Sequence, residues 1–240
     1  MLRRLGLTTA ALALAACADT TQPTEPLSVD LQISADHFHA LETEVTYTVL
    51  VTEANGNVVS DFETLAVEYS LEGANDWHAV PLTLQTGGSY QGTHQYAGPG
   101  AFDLRVTGQR PGQAEAVLHQ LTEPVQVIRP HWEAGGYRVE FELEPAELKA
   151  GIELGLKFFV MESEEDASGK RPPVTGLSGV AIDCEEANGA TTTHDVTEST
   201  GGVYQASHSF LASGDVLVTL HFTGADGQPA EVNVPLTLAQ

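Results

Sequence analysis

The sequence predicts an all-β protein built as two tandem immunoglobulin-like β-sandwich domains, and three observations carry that prediction. The chain repeats itself: "GGSYQGTHQYAGPGAFDLRV" at 87–106 aligns without a gap against "GGVYQASHSFLASGDVLVTL" at 201–220. Gly87 then matches Gly201, Tyr90 Tyr204, His94 His208, Tyr96 Phe210 and Gly100 Gly214, and a repeat of that length indicates duplicated structural units. Short runs alternate apolar and polar residues, such as "YTVLV", "LAVEYSLE" and "FDLRV" early and "VEFELE", "LGLKFFVM" and "VLVTLHF" late. Period-two alternation marks half-buried strands. Asn55-Gly56, Asn188-Gly189 and Asp226-Gly227 punctuate these runs, and Asn-Gly or Asp-Gly between alternating segments is the strongest short-range hairpin signal.

The elements follow in chain order. Residues 1–16 open with Arg3 and Arg4 and continue through a short apolar stretch to small residues, the pattern of a secretory signal too short to stay as a membrane span. "Leu14-Ala15-Ala16-Cys17" resembles the bacterial lipobox. That resemblance implies that Cys17 becomes an acylated N-terminus, with the lipid bilayer as its partner and a periplasmic or cell-surface address. Because Ala18 rather than aspartate follows the cysteine, the outer membrane is favoured in a Gram-negative host. Several acyl chains together hold a protein stably, where one binds marginally.

Residues 17–26 are polar and proline-bearing, a flexible tether. The first domain is expected at 27–130, a linker "HWEAGG" at 131–136 and the second domain at 137–240. "VDLQISADHFHALETEVTYTVLV" at 29–51 lines up loosely with "VEFELEPAELKAGIELGLKFFVM" at 139–161, which extends the repeat backward. Units of this length match the usual domain size.

Composition excludes several function classes. The 240 residues carry 33 acidic against 10 basic side chains, a formal charge of −23, and loss of Arg3 and Arg4 with the signal takes this to −25. Such a surface repels phosphate backbones, so no nucleic-acid partner is expected. With Cys17 committed to lipid, Cys184 is the one other cysteine, and no intramolecular disulfide can form. The chain shows no Ser-His-Asp ordering, H-E-x-x-H, P-loop or G-x-G-x-x-G motif, so an enzyme is not expected.

"VEFELEPAELKAG", "VTGLSGVAIDC" and "NGATTTHDVTESTGGVYQASHSFLASGDVLVTLHF" together resemble the YtkA-like domain, a relative of FixH-type and CopC-type extracytoplasmic sandwiches. The resemblance covers 137–222 well and 27–107 more loosely. It implies a membrane-anchored binding or accessory protein in metal or respiratory-complex homeostasis, with an envelope protein as a further partner. The rival expectation is a structural or adhesive envelope protein that takes no metal. Met161 is the sole methionine outside the signal, so a methionine-rich Cu(I) site does not carry over.

Candidate residues are histidines and one thiol. His37 and His39 in "ADHFHAL" would point the same way on an extended segment and share one copper or zinc ion, with Asp36 or Glu42 nearby; a solvent-exposed loop pair is the other reading. Glu147 and Lys149 stand at the corresponding places in the second unit, so that site is not duplicated. His94 and His208 are duplicated, which reads as a structural role or a pH-sensitive pair. For Cys184 and His194, a two-residue hairpin closed by Ala187 and Ala190 sets Asp183 opposite His194 and puts thiol and imidazole on opposite faces. A core thiol is then expected.

Overall fold

The computed structural model describes residues 26–35 and 38–240. Cys17, Asp36 and His37 lie outside the described residues, and so do the signal and most of the tether. The chain divides into two compact units, one comprising the residues up to Phe38, Glu42–Tyr96 and Gly100–Val127, the other His39–Leu41, Ala97–Pro99 and Ile128–Gln240.

The first ten strands are β1 (Ser28–Ile33), β2 (Phe38–His39), β3 (Glu44–Thr52), β4 (Thr64–Leu71), β5 (His78–Pro81), β6 (Thr83–Leu84), β7 (Tyr90–Gln95), β8 (Gly100–Gln109), β9 (Ala116–Gln120) and β10 (Val125–Ile128). They form one sheet in the order β1-β3-β7-β6 and another in the order β2-β10-β8-β4-β5, with β9 also on β8. On β3 the alternation is strict: Val45, Tyr47, Val49 and Val51 are buried while their neighbours are not. Two phenols close this core, Tyr47 and Tyr96, whose hydroxyls lie 2.8 Å apart. Burial pushes Tyr47 up to about 12 and raises Tyr96 as well, so the pair stays a neutral hydrogen bond.

Nine strands follow: β11 (His131–Ala134), β12 (Tyr137–Glu144), β13 (Leu154–Glu162), β14 (Ala181–Glu185), β15 (Thr191–Asp195), β16 (Thr197–Ser199), β17 (Val203–His208), β18 (Gly214–Thr223) and β19 (Pro229–Leu238). Their sheets run β11-β12-β13-β17-β16 and β15-β14-β18-β19. The inward residues are Val139, Phe141 and Leu143 on β12 and Leu154, Leu156, Phe158 and Val160 on β13, opposed by Val218, Leu220, Val232 and Val234. Two antiparallel sheets with one apolar face each form a sandwich core.

The stretch read as a linker, 131–136, is instead ordered secondary structure. His131–Ala134 pairs with Tyr137–Glu140. Gly135 and Gly136, with φ of 57° and 82°, make the two-residue turn between them, and a turn with positive φ at both central residues is the hairpin type that Gly-Gly favours. The flanks "HWEA" and "YRVE" supply the strands.

Candidate metal centre

The site is set by the turn between β14 and β15. Glu186 N–H donates to Ala190 O at 2.8 Å and Gly189 N–H to Glu186 O at 2.8 Å, while Asn188 Oδ1 accepts the Ala190 N–H at 2.9 Å. Glu186 and Ala190 therefore close a three-residue loop, and Gly189 alone in it takes positive φ, at 83°. A two-residue type I′ turn requires positive φ at both central residues; Asn188 spends its side chain on the loop instead.

That extra loop residue moves the register by one. Cys184 pairs with Thr192, and His194 with Ile182. Because strand side chains alternate, a one-residue shift moves the whole partner strand to the other face. His194 therefore shares a face with Cys184, and the expectation of opposite faces is corrected.

His208 reaches the same place from the other sheet. It ends β17, opposite Leu154 of β13, and its ring packs edge-on against Phe210 with centroids 4.4 Å apart. His208 Nδ1 lies 3.0 Å from His194 Nε2, and its Nε2 lies 3.2 Å from Glu186 Oε1. One donor atom from each of Cys184, His194 and His208 lies within 4.8 Å of the other two. Cys184 is fully buried, and the side chains of His208 and Glu186 are 10% and 9% exposed.

Electrostatics at the site follow from burial. Desolvation, then Asp183 and Glu186, pushes the Cys184 thiol up to about 12, so the thiol is protonated until a cation displaces its proton. Burial and then His208 hold His194 below its ordinary value, with Asp183 opposing them. A neutral imidazole is the form that ligates a metal. Thiol sulfur plus two imidazole nitrogens is a donor set of intermediate softness, suited to zinc or copper rather than to magnesium or calcium.

No protein-family model matches the chain, and neither does any curated protein. Among solved structures, the Escherichia coli adhesin FdeC is 22% identical over 92% of this chain, with a TM-score of 0.34. Invasin, a bacterial integrin-binding protein, is 16% identical over 89% with a TM-score of 0.32. The fibronectin(III)-like modules of Clostridium thermocellum CbhA are 13% identical over 89%, with a TM-score of 0.26. The chain spans 66% of the length of FdeC, 39% of invasin and 94% of the CbhA modules.

The first unit shows what a sandwich of this kind does at the same place without the cluster. The repeat pairs Leu104 of β8 with Val218 of β18. Tyr69 faces Leu104 as Cys184 faces Val218, so Tyr69 occupies the cysteine's position. By the same ladders Val80 stands for His194 and Leu71 for Glu186. His94 remains, with the Tyr69 ring 4.4 Å from its own and the Tyr96 ring at 4.8 Å. At the ladder positions where the second unit has thiol, imidazole and carboxylate, the first has a phenol, a valine and a leucine.

His94 consequently has a different character from its repeat partner. Its Nε2 is buried and has no hydrogen-bond partner among the described residues. Burial, with His78 adding to it, pushes His94 down to about 4 from 6.5. A group whose folded value is depressed contributes stability that is present above the unfolded value and is lost as pH falls through the folded one. Between pH 7 and 4.5 the wild-type protein is expected to lose about 2 kcal/mol more stability than His94→Gln, after allowing for partial solvent screening. Urea denaturation of both proteins at the two pH values measures this; equal losses would show that His94 does not titrate with folding.

His39 lies in β2, its ring centroid 5.6 Å from that of His131. Among the described residues the three-donor group is Cys184, His194 and His208, and His39 does not belong to it. Glu186 had no place among the sequence candidates. Its signal was available only after strand alignment, as a carboxylate at a position that its repeat fills with leucine.

Proposed function

We propose that this chain is an extracytoplasmic binding protein, anchored through acylated Cys17, whose second domain captures a transition-metal ion with Cys184, His194 and His208. The observation that carries the reading is the convergence of one thiol and two imidazole nitrogens within 4.8 Å of one another, drawn from two sheets of a sandwich. The comparison between repeats supports it, because the first unit carries Tyr69, Val80 and Leu71 where the second has Cys184, His194 and Glu186. The resemblance to YtkA-like domains and the lipobox support the address and the metal-handling class. The role is binding and transfer rather than catalysis, in keeping with the absence of nucleophile-base motifs in the sequence.

Cobalt(II) is the probe, since it fills zinc-type sites and reports thiolate ligation by a charge-transfer band. Titration of the purified chain is expected to raise that band to saturation at one equivalent, with zinc abolishing it by competition. Cys184→Ser should remove the band and His208→Ala should weaken binding at least tenfold, whereas His39→Ala should leave both unchanged. A band that survives Cys184→Ser, or none in the wild-type protein, refutes the site.

A further inference from the structure

Glu186 is the feature of the site that three-donor coordination does not by itself explain. Its carboxylate is 9% exposed. It accepts the Leu211 backbone N–H, 3.1 Å from Oε2, and faces His208 Nε2 across 3.2 Å. Among the described residues its ion-pairing partner is His208, with no lysine or arginine joining them. Burying a carboxylate without a cation is costly, and the first unit carries Leu71 at this position.

Resting on the metal-binding reading, we infer that Glu186 makes this a site for a divalent cation of the zinc type and discriminates against monovalent ions. Two effects combine. By accepting the Nε2–H of His208, the carboxylate fixes the tautomer that leaves Nδ1 free to ligate, and it orients the ring. Its charge also completes a neutral assembly. When the cation binds, Cys184 gives up its proton to solvent, so thiolate and carboxylate bring two negative charges against the two positive charges of the ion. A monovalent ion would leave one buried charge uncompensated.

The two imidazoles need little adjustment. His194 Nε2 and His208 Nδ1 are 3.0 Å apart, against about 3.4 Å for two nitrogens on a tetrahedral zinc. His194 moves its proton from Nε2 to Nδ1 as the ion replaces the hydrogen bond between the rings. Glu186 is thus a positioning and charge-setting residue that acts through His208.

The test compares cobalt(II) with silver(I), a monovalent ion of fixed oxidation state, on the wild-type chain, Glu186→Gln and Glu186→Asp. Glutamine keeps an oxygen acceptor for the imidazole and removes the charge. Cobalt affinity is expected to fall about 10–100-fold in Glu186→Gln while silver affinity changes less than threefold, so that the preference for the divalent ion collapses. Glu186→Asp should recover part of that preference. Unchanged silver binding also reports that the pocket is intact. If wild-type cobalt binding depends on Cys184 but Glu186→Gln matches the wild type, or loses both ions equally, this inference fails and the metal site stands. If the wild type shows no Cys184-dependent band, the site itself fails.

Discussion

Phe158→Ala is expected to destabilise the second domain by about 3–5 kcal/mol, the range for removing a buried phenylalanine ring from a core that cannot fully collapse around the gap. Phe158 is fully buried at the middle of β13. It pairs with Phe141 on one side and Tyr204 on the other, and its ring centroid lies 4.8 Å from that of Phe141. The ring contact with Phe141 is one that alanine would forfeit. A domain of this size has roughly 5–15 kcal/mol of stability in all, so the loss is a large fraction of it.

The consequence reaches the proposed metal site, because β17 carries His208 and is hydrogen-bonded to β13 from Leu154 to Phe159. Urea denaturation followed by circular dichroism measures the stability change. The thiolate-to-cobalt band, followed against temperature, should disappear at a correspondingly lower temperature in the variant. A change below about 1 kcal/mol would mean that the aromatic row is not the cohesive element of this core.

Much of this fold was legible because its signals are local. The repeated "GGSYQGTHQY" and "GGVYQASHSF" become β7 and β17, each the last but one strand in its sheet order, with Tyr90 and Tyr204 buried at equivalent ladder positions. Alternation predicted the inward face of β3 and β13 because one face of each is covered. The site was less legible, for a reason that lies in a single loop. Whether Asn188 and Gly189 both adopt positive φ or Gly189 alone does changes the loop by one residue, and that residue decides the face of His194. The match between Tyr69 and Cys184 also required the strand ladders, since the two units differ in spacing between β4 and β14 by one residue from the spacing between β8 and β18.

Gly202→Ala should be the most damaging single-methyl substitution in the second unit, costing about 2–4 kcal/mol. Gly202 has φ of 69°, and a Cβ there would stand 2.7 Å from Val174 O, 2.8 Å from Val160 O and 2.9 Å from Val174 N. All three are backbone atoms, so no side-chain rotation relieves the contact, and left-handed backbone adds about 1 kcal/mol for a residue with a Cβ. The contacts matter because this corner anchors β17. Val160 N–H donates to Gly202 O at 2.9 Å and Val174 N–H to Val160 O at 2.9 Å. Tyr204 donates its hydroxyl to Val174 O at 3.2 Å and accepts the Leu177 N–H at 3.1 Å. Its repeat partner Gly88, at φ 86°, would meet chiefly the Val58 Cγ1 at 2.6 Å, the tip of a side chain that is 44% exposed and free to turn away. Gly88→Ala should therefore cost about half as much as Gly202→Ala, although the two glycines share motif and conformation. Matched denaturation curves of the two variants decide it: equal losses would mean that the left-handed backbone alone sets the cost and that the packed corner around Val174 adds nothing to the anchoring of β17.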